Sequence, residues 1–161
     1  MKNNKNLRKW LDDMSLSHPL FIAGPCSAET ENQVLDIAHQ LKDSDATVFR
    51  AGIWKPRTRP GNFEGVGSLA LQWMKKVKEE TGILTTTEVA NANHVDLALK
   101  NEIDILWIGA RTTVSPFIVQ EIAEALRGTK KIVLIKNPVN PDLSLWMGAI
   151  ERFYSSNIKN I

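Results

Sequence analysis

The sequence predicts an α/β fold, the opening five units of a (β/α)8 TIM barrel, on three observations. Short apolar runs alternate with amphipathic helical patterns five times along the chain. The runs are continuously apolar and rich in branched residues, as in parallel strands buried on both faces. Polar and cationic residues gather directly behind the end of each run: Cys26, then Arg50 to Thr58, Glu88, Arg111 and Lys136. Groups contributed by nearly every strand end suit the C-terminal face of a barrel, whereas an open doubly wound sheet concentrates them at one switch point. The chain also lacks a GxGxxG fingerprint, which disfavours a dinucleotide-binding sheet.

In chain order, residues 1–18 are read as a short helical lead-in whose Trp10 and Leu11 pack on the base of the barrel, and residues 19–161 as the partial barrel domain. The strands are expected at Pro19 to Ala23, Thr47 to Arg50, Ile83 to Thr86, Ile103 to Ile108 and Lys131 to Ile135. The helices are expected at Glu29 to Lys42, Ser68 to Thr81, Asn93 to Leu99, Ser115 to Leu126 and Asp142 to Tyr154. Val34, Leu35, Ala38 and Leu41 recur at helical spacing in the first helix. Phe117, Ile118, Ile122 and Leu126 do so in the fourth, behind a Ser115-Pro116 start. Residues 158–161 read as the start of a sixth strand.

A chain of 161 residues with 43% hydrophobic and 24% charged content is an ordinary globular composition. A net charge of +2 steers it to neither nucleic acid nor membrane surface. The single cysteine, Cys26, excludes an intramolecular disulfide and fits a reducing compartment. The N-terminus has no apolar core of a signal peptide, and no apolar run approaches the roughly 18 residues of a membrane span. Cytoplasmic location is expected.

The densest chemistry lies in Phe49 to Gly67, FRAGIWKPRTRPGNFEGVG. Arg50, Lys55, Arg57 and Arg59 would repel one another on an ordinary solvated loop. Prolines and glycines stiffen and shape such a loop, so its charges can be aimed at an anion. Arginine presents a planar fork to phosphate or carboxylate and lysine a point charge. A plain solvated basic loop is the alternative for this run taken alone.

The other strand ends add to it. Cys26 sits in the Gly24-Pro25-Cys26-Ser27 turn, placed either as a small buried residue or as a metal ligand or nucleophile at the same mouth. In Trp107-Ile108-Gly109-Ala110-Arg111, the small Gly109 and Ala110 let backbone N–H groups approach an anion, and Arg111 supplies charge. Lys136 ends a buried strand, where an unpaired lysine is costly and an anion is expected beside it. Glu88, behind Thr85-Thr86-Thr87, is the one acid that strand position places at the mouth. It could orient the lysines, bind a water or move protons, or else belong to a helix N-cap region with Asn91 and Asn93 as rivals. His18, His39 and His94 stand at no strand end and read as structural or solvated. No nucleophilic triad can be assembled.

Taken together and in this order, Gly24-Pro25-Cys26-Ser27, Lys55-Pro56-Arg57-Thr58, Thr87-Glu88-Val89, Gly109-Ala110-Arg111 and Ile135-Lys136-Asn137 closely resemble the 3-deoxy-7-phosphoheptulonate (DAHP) synthase family. The likeness runs from Pro19 to about Tyr154. Pro138-Val139-Asn140-Pro141-Asp142-Leu143 looks like the subgroup similar to 3-deoxy-8-phosphooctulonate synthase, some of whose members are fused to a chorismate mutase. The resemblance implies a metal-dependent transferase of the shikimate pathway of aromatic amino acid biosynthesis. It condenses phosphoenolpyruvate with erythrose 4-phosphate and releases phosphate. It also implies roles: Cys26 as a ligand of a divalent metal (Mn, Fe, Zn or Co); Arg50, Lys55 and Lys136 on the phosphoenolpyruvate carboxylate and reacting region. Arg111, Lys136 and the Gly109 and Ala110 backbone would hold its phosphate. Lys55, Pro56, Arg57 and Thr58 would bind erythrose 4-phosphate, with Arg57 on its phosphate, and Glu88 would lie near the attacking water. Lys55, Glu88 and Lys136 are the expected catalytic groups.

Two departures shape the expectation. The family's remaining metal ligands, a histidine, a glutamate and an aspartate on the sixth to eighth strands, are not in this sequence. The chain is therefore expected to be part of a longer, homo-oligomeric enzyme and inactive by itself. The octulosonate enzyme is the nearest rival and usually carries a Lys-Ala-Asn-Arg type of loop, whereas Lys55-Pro56-Arg57-Thr58 matches the erythrose 4-phosphate user. A non-catalytic module for phosphorylated ligands and a fragment that completes a barrel with a second polypeptide are the other readings.

Overall fold

The computed structural model describes residues 19–161. The expected lead-in at 1–18, with Trp10 and Leu11, lies outside the described residues, as does His18.

Five strands, β1 (Ile22–Ala23), β2 (Val48–Arg50), β3 (Leu84–Val89), β4 (Ile105–Ile108) and β5 (Ile132–Ile135), form one sheet. Their order is β1-β2-β3-β4-β5 and every pairing is parallel. The helices are α1 (Glu31–Leu41), α2 (Leu69–Thr81), α3 (Ala92–Lys100), α4 (Ala110–Thr113), α5 (Pro116–Ala125) and α6 (Leu143–Ser155). Consecutive order without a reversal is the arc of a barrel, since a doubly wound sheet reverses its order at the switch point. The core agrees. Val48, Ile105 and Ile132 pack with Leu20, Leu84 and Leu134 in a cluster made of residues in and beside the strands alone. Phe49, Leu106, Ile108 and Val133 pack outward against the buried sides of the helices. The described helices thus lie on one side, and the other side is the barrel interior.

Local chemistry fixes the helix ends. Thr30 caps α1 by accepting from Gln33 N at 3.2 Å, and Asp142 caps α6 by accepting from Leu145 N at 2.9 Å. Asn91 is the cap of α3, accepting from His94 N at 2.8 Å. This settles the rivalry over that cap, and it frees Glu88, which lies inside β3 rather than behind it. Strand β3 runs three residues beyond its expected end. The short α4 was not expected, because four residues are too few to show a helical period.

The expected apolar face of the fourth helix needs correction. Phe117 is 88% exposed, while Val119, Ile122, Ala123 and Leu126 are buried. Phe117 lies about 100° around the helix from Ile118, so both cannot centre one stripe. Past α6, Ile158 is buried and Asn160 O accepts from Val133 N at 2.9 Å. The chain therefore returns alongside β5, where a sixth strand was expected.

Candidate active site

The C-terminal ends of the strands and the loops behind them enclose a polar cleft of about 260 Å³. Cys26, Arg50, Lys55, Pro56 and Arg57 line one side of it; Glu88, Ala110, Arg111 and Lys136 line the other. Two remaining expected residues sit at the rim. Thr58 Oγ1 accepts from Arg111 Nε at 3.4 Å, tying the β2 loop to the end of β4. Gly109 stands against the Glu88 carboxylate. Among the described residues, five cations and one carboxylate therefore share the cleft, an arrangement that would lower the energy of a bound anion. Arg59 does not join them: the loop turns over at Pro60 and Gly61, and Arg59 is exposed outside the lining.

The cations are held from behind. Lys55 Nζ donates to Cys26 O at 2.6 Å and approaches Cys26 Sγ at 3.4 Å. Its backbone is pinned by Lys55 N donating to Glu64 O at 2.8 Å, and the Arg57 side chain by Nε donating to Phe63 O at 2.9 Å. Gly65, at φ +98°, allows this fold-back: a Cβ there would stand 2.1 Å from Ile53 O. Among the described residues, the buried Arg50 Nε has no hydrogen-bond partner, and its Nη2 reaches Cys26 O only at 3.5 Å. The Arg50 side chain lines the cleft, and a guanidinium held this weakly by the protein can turn its donors to a ligand. Lys136 is exposed rather than buried, so the desolvation cost expected for it does not arise.

Cys26 is exposed, and the ammonium of Lys55 beside its sulfur holds the thiol below the ordinary thiol range, with Arg50 and Arg57 acting in the same direction. The thiolate is the form that ligates metal. Among the described residues, however, no three His, Cys, Asp or Glu side chains converge on a possible ion. One sulfur is a fitting donor but not a metal centre, which takes about three protein ligands even when catalytic.

Glu88 is buried on the inner side of β3, where its Oε2 accepts from Trp107 Nε1 at 2.9 Å. Trp107 is the residue that reading the sequence missed. The Arg50 guanidinium carbon lies 4.8 Å, and Lys136 Nζ 5.5 Å, from its ring. Register explains its place: Glu88 pairs with Trp107, so the two side chains share the inner face. The threonines divide by the same alternation. Thr87 Oγ1 donates outward to Ala51 O at 2.8 Å, and Thr85 binds Asp104 at the opposite end of the sheet. Only Thr86 faces the interior below the cleft. His39 pairs with Glu80 on the surface, and His94 stacks on Trp54 with ring centroids 3.9 Å apart, so both stand outside the cleft.

Fold and cleft together define a barrel-type protein whose strand ends present a concentrated cationic mouth. Residues 16–161 match the model of the DAHP synthetase I family, and the chain belongs to that family. A phospho-2-dehydro-3-deoxyheptonate aldolase of Thermotoga maritima is 33% identical over 103 residues, 63% of this chain and 30% of that protein. A 2-dehydro-3-deoxyphosphooctonate aldolase of Laribacter hongkongensis is 34% identical over 102 residues, 58% of this chain and 36% of that one. A crystal structure of the Thermotoga maritima phospho-2-dehydro-3-deoxyheptonate aldolase (DAHP synthase) superposes with a TM-score of 0.75 at 26% identity. It matches 88% of this chain and 40% of its own length, so this chain corresponds to part of the relatives' barrel. No helix among the described residues is long and apolar enough to cross a membrane.

Proposed function

We propose that this chain carries the phosphoenolpyruvate-binding part of an enzyme that condenses phosphoenolpyruvate with erythrose 4-phosphate to a seven-carbon 3-deoxy sugar acid phosphate. The supporting observation is the convergence of Arg50, Lys55, Arg57, Arg111 and Lys136, from three strand ends and one loop, around the carboxylate of Glu88. Two phosphorylated substrates, one also a carboxylate, require such a surplus of fixed positive charge to lie side by side. Arg50 and Lys136 flank the carboxylate and reacting end of phosphoenolpyruvate, and Arg111 with the Gly109–Ala110 backbone takes its phosphate. Lys55, Pro56, Arg57 and Thr58 take the sugar phosphate.

In the reaction, C3 of phosphoenolpyruvate bonds to the aldehyde carbon, water adds at C2, and the C2–O bond to phosphate breaks. Glu88, fixed by Trp107, is the proton acceptor beside that water, and the aldehyde oxygen gains a proton as it becomes a hydroxyl. Lys55, whose ammonium lies beside Cys26, is assigned to the aldehyde end of the cleft. A divalent metal ligated in part by Cys26 would polarise the aldehyde carbonyl. The described residues supply one such ligand, so the 161-residue chain binds phosphoenolpyruvate without turning it over. The protein is read as a cytoplasmic, homo-oligomeric enzyme of the shikimate pathway.

Calorimetric titration of the chain with phosphoenolpyruvate tests the binding reading, and saturable binding abolished by Arg111→Ala is expected. Phosphate release with manganese from the chain extended along its reading frame tests the reaction. Release with erythrose 4-phosphate supports the proposal. Release only with a five-carbon aldose phosphate would instead assign an octonate-forming enzyme, and absence of phosphoenolpyruvate binding would favour a different phosphorylated ligand.

A further inference from the structure

The inner face of the sheet holds two spaces. Above lies the polar cleft; below lies a cavity of about 230 Å³ lined mainly by apolar atoms, among them those of Ile22, Thr86 and Leu134. Trp107, Arg50 and Lys136 border the lower space, and the same two cations border the upper one. Trp107 is 5% exposed and makes three contacts of different kinds. Its indole N–H donates to Glu88 Oε2 at 2.9 Å, and its ring carries the Arg50 guanidinium at 4.8 Å and the Lys136 ammonium at 5.5 Å.

We propose that Trp107 is the positioning residue of this cleft: its ring face holds Arg50 and Lys136 at the anion-binding height, and its N–H aims the Glu88 carboxylate. This deepens, and rests on, the phosphoenolpyruvate reading above.

Two cations brought together with no anion bound repel each other, and a flexible lysine would swing away into water. The negative face of an indole offsets part of that repulsion without neutralising either charge. A carboxylate in the same place would form ion pairs and compete with the incoming anion; an aromatic face does not. Arg50 in particular is held only weakly by hydrogen bonding, its Nη2 reaching Cys26 O at 3.5 Å, so the ring orients the guanidinium without engaging its donors. The N–H performs the second task. Among the described residues Glu88 is the only acid lining the cleft, and a rotation toward Arg50 or Lys136 would convert it into their counter-ion. The bond to Trp107 and the contact with Gly109 hold it back from that collapse.

The test combines titration with a spectroscopic signature. Phosphoenolpyruvate and, separately, inorganic phosphate are titrated into the wild-type chain, Trp107→Phe, Trp107→Leu, and a protein carrying tetrafluorotryptophan at position 107. The fluorinated ring keeps the shape and the N–H but loses its negative face. Trp107→Leu is expected to weaken binding about 5- to 30-fold, the loss of two cation–π contacts, and Trp107→Phe by an intermediate factor of about three. The fluorinated protein should resemble the leucine variant. Should Trp107→Leu fail to fold, the fluorinated protein decides the matter alone.

The Trp107 indole N–H resonance, identified by its loss in Trp107→Phe, should move in Glu88→Gln; an unmoved signal overturns the aiming of Glu88. Wild-type affinity in the fluorinated protein, or equal losses with phenylalanine and leucine, overturns the holding of the cations. If the wild type binds phosphate but not phosphoenolpyruvate, the proposed substrate falls, while the order of the variants toward phosphate still decides the role of Trp107. Binding of neither anion overturns both.

Discussion

Gly109 lies directly against Glu88: a Cβ added at position 109 would stand 2.0 Å from Glu88 Oε1 and 2.7 Å from its carboxylate carbon. The absence of a side chain at Gly109, read from the sequence as room for an anion to reach the backbone, therefore also makes room for the acid. Gly109 additionally begins α4, its carbonyl accepting from Thr112 N and Thr113 N at 2.9 Å each. One residue thus joins the end of β4 to the placement of the cleft carboxylate of Glu88.

Gly109→Ala is expected to displace Glu88, because both partners are buried and neither backbone can yield freely. Overpacking of this kind costs about 1–3 kcal/mol. The urea midpoint should fall accordingly, and the Trp107 indole N–H resonance should shift as its acceptor moves. An alanine variant with wild-type stability and an unchanged resonance would contradict the contact.

Lys55 governs the ionisation of Cys26. Hydrogen bonding from the ammonium is the largest influence on the thiol and charge attraction from the same group the next. Lys55→Met removes both, so the pH midpoint for alkylation of Cys26 by iodoacetamide should rise toward that of an ordinary cysteine. At neutral pH the alkylation rate should fall in step with the lost thiolate. Arg59→Met, altering a cation outside the cleft, should leave the profile where it was.

At the opposite end of the sheet, Asp104 carries the join between β3 and β4. Its Oδ2 accepts from Thr85 N at 2.9 Å and from Thr85 Oγ1 at 3.2 Å, and its Oδ1 accepts from Lys78 Nζ at 2.6 Å. Asp104→Ala leaves two buried or half-buried donors on Thr85 unsatisfied and should destabilise the fold by about 2–3 kcal/mol. Asp104→Asn retains an acceptor and should lose less. Because this end of the strands is remote from the cleft, anion affinity in the folded fraction should not change.

The cleft was largely legible because a parallel α/β chain brings every strand's C-terminal end to one side; finding the strands was enough to group Cys26, Lys55, Arg57, Arg111 and Lys136. Trp107 was not legible for a reason rooted in the same fold. A strand buried on both faces shows no polar–apolar alternation, so nothing in ILWI reveals that Trp107 faces the interior and Ile108 the helices. Arg59 and Phe117 failed differently: each was grouped with near neighbours in sequence, yet a turn at Pro60-Gly61 and 100° of helix rotation send them elsewhere.

His94 supplies a pH dependence of stability that is independent of the cleft. Its ring stacks on Trp54 at an interplanar angle of 6°, and Nδ1 faces Ala90 N at 3.3 Å as an acceptor, which requires the neutral ring. Burial lowers its pKa below the usual 6.5. In the unfolded chain the imidazole takes up a proton near pH 6.5, while in the folded protein it resists until lower pH. Between those values the unfolded state binds more protons, so folding stability increases with pH. The contribution is fully present above about pH 6.5 and is lost progressively as pH falls through the depressed folded value. Urea midpoints measured from pH 7.5 down to 5 should therefore decline in the wild type. His94→Phe keeps the stack on Trp54 without a titrating group, so the same series should decline less steeply. Parallel curves for the two proteins would show that His94 is protonated as readily folded as unfolded, and that its ring does not depend on being neutral.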